Sequence, residues 1–479
     1  MTAVGRHLAL VGFMGAGKST LGELVAERLG RPFVDLDREV ERQTGTSIEV
    51  MFAHGEEVFR DAEERIAAKV LRVPEPAVIA LGGGAVLSAH TRSELARHLT
   101  VMVDVDVDTA WERVRESGRP LARDDREFRI LYEARRRMYE EVADARADDP
   151  DGIVLAAGAV EVDVGAFARL GELTPGEGRV ALVTDRHVAG IYGADAQLAL
   201  GARLASEHEL PPGEEAKRLA VAGRLWDELA VDRTGTVLAL GGGCVTDAAG
   251  FVAATHLRGV PWVAVPTTLV GQVDAAIGGK TGLDTATGKN RIGAFHWPAR
   301  TVIDPAFLET LSAAERRAGM AEVAKTGLLA GEQLWELPDP ELVRRAAAFK
   351  TAVCLRDPTE LGERAILNLG HTFGHALEAA GGYRIRHGDA VALGLTAALE
   401  LSERRYGLDP GWQARVRELL DPQPIAVDRE AARRALVRDK KAVEGRPRLV
   451  LLEAPGRPVV TDDVPLDEVH AALDALVSG

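Results

Sequence analysis

Apolar and polar positions follow two recurring patterns along the first two thirds of the chain. Short apolar runs of strand length occupy residues 7–11, 78–81, 180–184 and 236–240, and each leads into glycines or a carboxylate. Between them the apolar positions recur with the helical period, as at Leu21, Leu24, Val25 and Leu29. Strands that alternate with helices build parallel sheets, so the sequence predicts an α/β fold.

From about residue 311 the apolar period becomes helical. A chain of 479 residues also exceeds what a single core usually supports. We therefore predict three domains: a phosphate-binding α/β domain at residues 1–157, a second, Rossmann-like α/β domain at 158–310, and a mainly α-helical domain at 311–479.

Composition narrows the class of protein. The net charge of −15 argues against a nucleic-acid surface, which needs a basic face. Only two cysteines are present, Cys244 and Cys354, so a disulfide framework is not expected and any zinc site must use nitrogen and oxygen ligands. No apolar stretch is long enough to span a membrane, and the apolar start runs into Gly-Lys-Ser-Thr, unlike a signal peptide. A cytoplasmic protein is expected.

Residues 12–19 read G-F-M-G-A-G-K-S, between a predicted strand and a predicted helix. In such a loop, backbone N–H groups converge on phosphate oxygens, Lys18 reaches the β and γ phosphates, and the Ser19 hydroxyl binds Mg²⁺. An accidental glycine turn would not need the strand and helix on either side. The sequence therefore predicts a nucleoside triphosphate site.

Further features indicate what accepts the phosphate. Residues 33–37 are predicted to be a strand that ends in two carboxylates, and Arg60 stands one helical turn from Glu63, which would hold it for a carboxylate ligand. The glycines at 82–84 allow a ligand to approach the backbone closely. The arginine-rich segment 119–137 is either a solvated helix face or a lid.

Together the motifs G-F-M-G-A-G-K-S-T, D-L-D, F-R-x-x-E, G-G-G, R-P-L and R-x-x-x-Y make residues 1 to about 150 resemble shikimate kinase. The resemblance implies ATP with Mg²⁺, shikimate as substrate, Lys18, Asp37 and the lid residue Arg119 as catalytic residues, and Ser19 on the metal. The implied ATP-binding residues are Gly15, Ala16, Gly17, Lys18, Ser19, Thr20, Arg113 and Arg119. The implied shikimate-binding residues are Asp37, Arg60, Gly83, Gly84 and Arg135.

One departure from this family concerns the end of the domain. After Tyr139 little room remains for the usual last strand and C-terminal helix. Residues 152–157 are predicted to be that strand, with the closing helix lost or replaced by the next domain.

The second α/β region lacks a G-x-G-x-x-G motif after its first strand, but Asp185 ends the strand predicted at 180–184, where it can accept from a ribose hydroxyl. The segments 212–217 and 241–247 are either nucleotide-binding features or ordinary turns. Downstream, basic and amide groups lie among glycines between residues 258 and 290, which favours a pocket for an anion.

Two histidines stand four residues apart in the helical pattern of residues 364–378. His371 and His375 would share a helix face and could reach one zinc ion, although a surface helix that happens to carry histidines has the same spacing. Glu322 with these histidines would complete a catalytic set with nitrogen and oxygen ligands. His387 is predicted to lie on a loop at 386–389.

Residues 158–479 resemble 3-dehydroquinate synthase on the motifs G-G-G-x-x-x-D, P-T-T-L, V-D-x-x-x-G-G-K-T, G-K-N-x-I-G-A-F, E-V-x-K and N-L-G-H-T-F-G-H-A-L-E. The resemblance implies NAD⁺, one divalent metal (Zn²⁺ or Co²⁺), and conversion of 3-deoxy-D-arabino-heptulosonate 7-phosphate into 3-dehydroquinate with release of phosphate. It implies Glu322, His371 and His387 as metal ligands and turns His375 toward the substrate, which replaces the pairing suggested by spacing.

The same resemblance implies the remaining site residues. Those for the substrate are Arg258, Asp274, Lys280, Asn290, Lys325, Lys350, Arg364, Asn368, His375 and Lys440 (or its neighbour Lys441), and Asp274, Lys280, Lys325, Arg364 and His375 among them are expected to be catalytic. Those for NAD⁺ are Asp185, Glu214, Lys217, Gly242, Gly243, Asp247, Thr267, Thr268, Lys280, Lys289 and Asn290. Asp284 departs from the family pattern, as do Pro358 and Thr359.

Two alternatives remain at this point. The second half could be a related sugar-phosphate cyclase with a valiolone-type product, although Arg364 and Lys350 favour a carboxylate substrate. The first half could be a catalytically silent docking module, against which the intact Lys18, Asp37, Arg60 and Arg135 argue. The resemblance also implies a homodimer formed through the synthase half. Charge and hydropathy, as above, predict no nucleic-acid or membrane partner.

Overall fold

The apolar runs near the start of the chain form five strands that pair in the order β2-β3-β1-β4-β5, every pair being parallel. The computed structural model describes residues 2–116, 121, 124–286, 288–437 and 447–478, and the contacts divide the chain into two units, Met1–Val160 and Glu161–Gly479. The first unit contains β1 (Leu8–Val11), α1 (Lys18–Leu29), β2 (Phe33–Asp35), α2 (Leu36–Thr44), α3 (Ile48–His54), α4 (Glu56–Leu71), β3 (Val78–Ala80), α5 (Ala89–Leu95), β4 (Leu99–Val103), α6 (Val107–Val114), α7 (Asp125–Val142), β5 (Ala145–Ala147) and α8 (Pro150–Ala157).

The strand order determines where this unit can bind a ligand. The connection after β1 leads to β2 on one side, whereas the connection after β3 leads to β4 on the other. Because β1 and β3 are neighbours, their carboxyl ends border a crevice between diverging connections, which is where open α/β sheets bind ligands. The loop before α1 and the glycines at 82–84 lie at this crevice.

The prediction for the end of the first unit was wrong. Residues 152–157 belong to helix α8, and the closing strand is β5, seven residues earlier than the apolar run suggested. Asp149 caps the helix by accepting the Gly152 N–H at 2.9 Å, and Pro150 occupies its first turn. The closing strand and the closing helix are therefore both present.

The prediction for residues 33–37 also needs correction. Strand β2 ends at Asp35, whose side chain accepts the Arg38 N–H and begins α2. Asp37 consequently lies in the first turn of a helix. The strand therefore ends in only the first of the two carboxylates, Asp35.

The second unit is built on a six-stranded sheet of order β6-β13-β10-β9-β7-β8, and the pairs from β13 to β8 are parallel. Its elements are β6 (Val160–Val162), α9 (Leu170–Leu173), β7 (Val180–Asp185), α10 (Arg186–Leu200), β8 (Leu204–Leu210), α11 (Leu219–Glu228), β9 (Thr236–Gly241), α12 (Gly243–Thr255), β10 (Trp262–Pro266), β11 (Lys280–Thr285), β12 (Gly288–Phe295) and β13 (Arg300–Ile303), followed by α13 (Ala313–Ala330), α14 (Asp339–Arg356), α15 (His371–Ala380), α16 (His387–Tyr406), α17 (Pro410–Leu420), α18 (Arg429–Val437), β14 (Leu449–Ala454), β15 (Arg457–Thr461) and α19 (Leu466–Asp474). The predicted α/β fold class is confirmed.

This sheet has its own point of divergence. The connection after β7 leads outward to β8, and the connection after β9 leads the opposite way to β10. The neighbouring carboxyl ends of β7 and β9 therefore border the crevice in which such sheets bind nucleotides. Asp185 ends one of these strands, and Gly241 ends the other.

The helical region is packed closely around α13, α15 and α16. Gly370, with φ of 78°, breaks the helical pattern predicted for residues 364–378, so that α15 begins at His371 after a separate 3₁₀ turn. A side chain at Gly394 of α16 would collide with the Gly370 carbonyl, so only glycine permits this approach. His387 is the first residue of α16, and its predicted place on a loop was wrong.

No helix among the residues that the structure describes is both long and apolar enough to cross a membrane.

Candidate active sites

The loop between β1 and α1 forms a concave backbone surface at the amino end of a helix. Gly15 and Gly17 have φ of 84° and 89°, a conformation that suits glycine. The Lys18 ammonium group donates to the carbonyl oxygens of Gly12 and Phe13 at 2.8 and 3.1 Å, so it lies over the loop. Backbone N–H groups, a helix amino terminus and a lysine together form an anion-binding site.

Two neighbours complete this loop. The Ser19 hydroxyl donates to Asp35 Oδ2 at 2.5 Å, and Thr20 follows it in α1. A guanidinium nitrogen of Arg113, in α6, donates to the Gly15 carbonyl oxygen at 2.9 Å. The structure therefore brings Arg113 to the rim of the loop, whereas Arg119 lies outside the described residues.

A second group of side chains surrounds the glycines at 82–84. Arg60 packs so tightly on Gly84 that any side chain there would collide with its guanidinium group. Glu56 and Glu63 hold that group at 2.9 and 2.6 Å. Arg135 is 5% exposed and donates to the Gly83 carbonyl oxygen at 3.4 Å. Two arginines thus lie beside one glycine loop, as the recognition of a carboxylate requires.

Asp37 joins this group from the first turn of α2. A side chain at Gly82 would collide with Glu63 and would lie 2.6 Å from Asp37 Oδ1, so both carboxylates converge there. Burial and the nearby Asp37 raise the pKa of Glu63, and Arg60 opposes this rise. Asp37 is therefore placed beside the same loop as the two arginines.

Sequence analysis assigned no role to Tyr139 beyond its place in a motif. Its hydroxyl donates to the Gly83 carbonyl oxygen, and burial raises its pKa to about 12, so it remains protonated and can donate. The signal in the sequence was the spacing Arg135-x-x-x-Tyr139, which places both side chains on one face of α7.

In the second unit, three side chains from three helices meet at one point. Glu322 Oε1 lies 3.5 Å from His371 Nε2 and 3.3 Å from His387 Nε2. One ligand atom from each residue lies within 4.8 Å of the others, and Glu322 is almost fully buried. Glu322 comes from α13, and the two imidazoles come from the first residues of α15 and α16.

The hydrogen bonds on the far side of each ring show what this arrangement can hold. His371 Nδ1 lies 3.2 Å from the Leu369 carbonyl oxygen, and His387 Nδ1 lies 3.4 Å from Glu378 Oε2. When each Nδ1 donates, each Nε2 carries a lone pair that faces Glu322. Three electron-pair donors aimed at one point suit a divalent cation, and an ordered outer contact on each imidazole is typical of metal sites.

The pKa shifts of the two histidines also suit a metal site. Burial lowers the pKa of His371 to about 4, so that its ring stays neutral and can act as a ligand. Burial opposes a charge on His387 as well, but Glu322 and Glu378 raise its pKa to about 10. The environment therefore stabilises positive charge between the two carboxylates. Glu378 was missed by sequence analysis, although it lies seven residues after His371 on the same helix face.

The four-residue spacing of His371 and His375 does not make the two residues a pair of metal ligands. The His375 ring centroid lies 5.5 Å from that of His371 and 6.3 Å from that of His387, but the clustered ligand atoms belong to Glu322, His371 and His387. His371 Nε2 therefore faces Glu322 of α13, while its ring stays in edge contact with that of His375.

Charged residues next to this cluster form a continuous network. Asp274 accepts from both Lys325 and Lys350, and Lys325 also contacts Glu322 Oε2 at 2.5 Å. Lys280 pairs with Glu360 at 2.7 Å. Most of these groups are buried, so each charge needs its partner.

Arg364 and Asn368 belong to the same wall. Arg364 is 1% exposed and donates to the Gly278 carbonyl oxygen at 3.0 Å, while its backbone N–H is held by Asp357 at 3.0 Å. The Asn368 amide nitrogen donates to the Ala365 carbonyl oxygen at 2.9 Å. The amide oxygen of Asn368 can still accept a hydrogen bond. The two residues lie in one 3₁₀ turn, Glu363–Asn368.

The structure does not bring Arg258 to this group. It lies in the 3₁₀ turn His256–Arg258, between the end of α12 and the start of β10. Helix α12 starts at the carboxyl end of β9 and runs for 13 residues, about 20 Å, to the amino end of the sheet. Arg258 is thus at the opposite end from the site within one chain. Lys440 and Lys441 lie outside the described residues.

The predicted nucleotide-binding residues gather at the crevice between β7 and β9. The Asp185 side chain accepts from the backbone N–H groups of His187 and Val188 through Oδ1. Gly242 and Gly243 begin α12, and a side chain on Gly242 would lie 3.1 Å from Thr268, next to Thr267 after β10. The loop ends of two adjacent strands and the amino terminus of α12 therefore meet, as a dinucleotide site requires.

The lysines of this crevice are paired. Lys217 is buried and contacts Asp247 at 2.8 Å and the Asn290 side-chain oxygen. Lys289 lies 2.6 Å from Glu214 and 3.3 Å from Glu378, which links the crevice to the His387 contact. Asp284, the departure from the family pattern, accepts the Asn290 N–H at 2.7 Å and so belongs to this cluster.

The first unit thus has the fold and loop of a P-loop phosphotransferase, and the second is an α/β enzyme with a nucleotide crevice next to a three-residue metal cluster. Family models agree: shikimate kinase matches residues 14–154, and the N-terminal and C-terminal regions of 3-dehydroquinate synthase match 207–318 and 319–442.

Relatives extend this result over the whole chain. A bifunctional shikimate kinase/3-dehydroquinate synthase of Thermotoga maritima is 32% identical and covers 92% of this chain and 94% of its own. A 3-dehydroquinate synthase of Symbiobacterium thermophilum is 42% identical and covers 66% of this chain and 97% of its own. The chain belongs to the family of bifunctional shikimate kinase/3-dehydroquinate synthases.

A solved structure resembles the second unit. The 2-epi-5-epi-valiolone synthase of Streptomyces hygroscopicus, with NAD⁺ and Zn²⁺ bound, has a TM-score of 0.60 and 29% identity, and the match covers 66% of this chain and 96% of that protein.

The cluster of Glu322, His371 and His387 predicts an asymmetric outcome for two histidine substitutions. His387→Ala removes a ligand atom and should weaken zinc binding by more than about 100-fold, because even loss of an outer contact costs up to about that much. His375→Ala, the matched control, should leave zinc affinity within about threefold of wild type. Competition with a chromophoric chelator measures both. Equal losses in the two variants would support the pairing of His371 with His375 instead.

Proposed function

We propose that this chain catalyses two separate reactions. The first unit transfers a phosphoryl group from ATP to shikimate, and the second converts 3-deoxy-D-arabino-heptulosonate 7-phosphate into 3-dehydroquinate with release of phosphate. The observation that carries the proposal is the match of the bifunctional relative along 92% of the chain, with candidate site residues gathered in each unit. Both substrates are small molecules. We also place a domain boundary near residue 310, where the sheet gives way to helices.

In the first reaction the site residues bind and orient the charged groups of ATP and shikimate. Lys18 and the loop N–H groups would hold the ATP phosphates, Ser19 would bind Mg²⁺, and Arg113 would lie at the nucleotide side of the loop. Arg60 and Arg135 would bind the shikimate carboxylate beside Gly83 and Gly84. Asp37 would then accept the hydrogen bond of the reacting hydroxyl.

In the second reaction Glu322, His371 and His387 would hold the divalent metal, Zn²⁺ or Co²⁺. NAD⁺ would lie at the crevice of Asp185, Gly242 and Gly243. When bound, the two groups supply reversible hydride transfer and polarisation of the reacting hydroxyl.

Side chains of the second unit would do the rest by binding and orienting the substrate. Lys280, Lys350, Arg364 and Asn368 provide cationic and amide groups for its carboxylate and phosphate, and Lys325 holds Asp274 toward the same space. His375 lies beside the metal cluster, where an imidazole can move a proton to or from the phosphate.

The alternative of a valiolone-type cyclase is less well supported. Identity to the Symbiobacterium thermophilum 3-dehydroquinate synthase is 42%, against 29% to the solved valiolone synthase. Arg364 and Lys350 also suit a substrate that carries a carboxylate. A seven-carbon sugar phosphate without the carboxylate should therefore give no cyclised product, and turnover of that compound would favour the alternative.

Substitution of one residue in each unit tests the independence of the two sites. Lys18→Ala should abolish ATP consumption that depends on shikimate and leave dehydroquinate formation unchanged. His371→Ala should do the reverse, because each residue serves only its own site. Coupled spectrophotometric assays of the two reactions, run in separate cuvettes with excess Mg²⁺ and added Zn²⁺, measure both.

Two matched variants serve as controls for that experiment. Lys69→Ala, on the exposed face of α4, and His54→Ala, at the end of α3, change the same residue types outside both sites. Neither should reduce either rate by more than about twofold. Loss of both activities from either site variant would contradict the reading of two independent sites.

The pKa of Lys280 predicts the alkaline side of the synthase pH profile. Although 45% of the Lys280 side chain is exposed, burial of its ammonium group lowers its pKa to about 8, Glu360 opposes the shift, and Arg364 adds to it. The ammonium is charged below this pKa and neutral above it. The value of kcat/KM should therefore fall as pH rises through about 8, since this ratio reports groups of the free enzyme.

Lys280→Arg gives the control, because a guanidinium stays charged across this range. The alkaline fall of kcat/KM should move upward by more than about one pH unit in that variant, even where the overall rate is lower. An unchanged fall would exclude Lys280 as its source.

We further propose that the chain forms a homodimer through residues 161–479. Support comes from α10, where Ile191 and Leu198, seven residues apart on one helix face, are 42% and 83% exposed. Exposed apolar side chains aligned in this way are typical of an interface. Sedimentation equilibrium of the full chain should give about twice the monomer mass of 51.2 kDa. A single species of monomer mass across micromolar concentrations would overturn the proposal.

A further inference from the structure

Helix α7 holds the central peptide of the glycine loop in the first unit. The carbonyl oxygens of Gly82 and Gly84 each accept the backbone N–H three residues later, at 3.0 and 2.9 Å, so turns of the loop itself hold them. The Gly83 carbonyl oxygen instead accepts from two side chains of α7, the Tyr139 hydroxyl and the Arg135 guanidinium group. The orientation of this central carbonyl therefore depends on α7.

Of these two donors, the Tyr139 hydroxyl is the stronger. Arg135 lies 3.4 Å from the Gly83 carbonyl oxygen, at the long limit of a hydrogen bond, whereas the hydroxyl lies much closer. Tyr139 is 1% exposed, and its ring packs in the hydrophobic core of the first unit, so the core fixes the position of the hydroxyl. Tyr139 thus anchors the glycine loop to a rigid part of the unit.

The same hydroxyl also holds Arg135. Burial raises the pKa of Tyr139 to about 12, and the charge of the Arg135 guanidinium group and its hydrogen bond to the hydroxyl oppose the rise. A phenol can accept one hydrogen bond while it donates another, so Tyr139 accepts from Arg135 and donates to Gly83. One side chain therefore sets the position of an arginine and of a backbone carbonyl together.

Gly83 lies between this hydroxyl and the phosphate loop. A Cβ atom on Gly83 would be 3.7 Å from the Tyr139 hydroxyl oxygen, 3.6 Å from the Met14 backbone nitrogen and 3.8 Å from the Gly12 carbonyl oxygen. The phosphate loop has its own support, because the Lys18 ammonium group donates to two of its carbonyl oxygens. Tyr139 therefore determines where the glycine loop lies beside the phosphate loop, whereas Lys18 holds the phosphate loop itself.

We propose that Tyr139 is a positioning residue for shikimate, the phosphate acceptor of the first unit. It acts through Arg135 and Gly83, which it keeps in the arrangement that binds the shikimate carboxylate and ring. This inference rests on the proposed kinase function. Removal of the hydroxyl should weaken the binding of shikimate and leave the binding of ATP unchanged, because the phosphate loop keeps its own hydrogen bonds.

The substitution Tyr139→Phe tests this role, because phenylalanine keeps the ring in the core and removes only the hydroxyl. In steady-state assays of the full-length protein, the KM for shikimate should rise about tenfold, since a hydrogen bond to a charged group is lost. The KM for ATP should stay within about twofold of wild type and kcat within about threefold, as expected when only acceptor binding is weakened. Isothermal titration with shikimate measures the Kd directly, and the Kd should rise by the same factor as the KM.

Tyr132→Phe is the matched control. Tyr132 lies two turns earlier in α7 and is 5% exposed. Its hydroxyl donates to the Val105 carbonyl oxygen at 2.7 Å and accepts from Arg136 at 3.0 Å, so it has the same two kinds of partner away from the glycine loop. This variant carries the structural cost of a lost buried hydroxyl, and both KM values should stay within about twofold of wild type.

Three results would refute the positioning role: an unchanged shikimate KM in Tyr139→Phe, equal rises of the shikimate and ATP KM in that variant, or the same rise of the shikimate KM in Tyr132→Phe. The last two would indicate a structural effect on the whole unit. If the wild-type protein shows no shikimate-dependent consumption of ATP, the proposed kinase function fails, and the inference fails with it. An active wild-type protein and a Tyr139→Phe variant with the same shikimate KM refute the positioning role alone.

Discussion

The buried ammonium group of Lys325 is the interaction on which the synthase site depends. It contacts Asp274 on one side and Glu322 on the other, and its side chain is only 1% exposed. The two carboxylates raise its pKa against burial, so it remains charged. Without this charge, two carboxylates would lie near each other in a region of low polarity, at a cost of several kcal/mol. Lys325 therefore ties the predicted substrate side of the site to the metal side.

This constraint extends outward through shared partners. Asp274 also accepts from Lys350, and Glu378 connects His387 with Lys289 at the nucleotide crevice. The largely buried carboxylates of Asp274, Glu322 and Glu378 each pair with a lysine that itself belongs to the predicted site. A buried charge is stable only when a partner of opposite charge or a hydrogen bond compensates it. A change that disrupts the site should therefore also destabilise the core around it.

The motifs of the sequence predicted most residue types and much of their grouping. The loop at 12–19 predicted a helix directly after it, and α1 begins slightly earlier, at Lys18. The lone-pair donors at 322, 371 and 387 converge. The apolar pattern predicted the wrong element or the wrong boundary where a helix cap or a glycine had the stronger effect. Asp149 caps helix α8, where a strand was predicted, and Gly370 makes α15 begin only at His371. Arg258 shows another limit, because a motif cannot reveal at which end of a sheet its residue lies. Glu378 was missed because its partner His387, nine residues later, belongs to a different helix, and no local pattern relates the two.

What the sequence determined by itself was chemistry and order: which residues can bind phosphate, metal and carboxylate, and that strands alternate with helices before a mainly helical region. These properties depend on side-chain type and local spacing, so they can be read along the chain. Local spacing left open which of the neighbouring histidines faces Glu322, and the tertiary structure shows that His371 does. The tertiary structure also decided which carboxylate pairs with which lysine. The reason is geometric: the choice rests on how α13, α15 and α16 pack, and a close approach such as that of Gly394 to Gly370 joins residues that no local pattern relates.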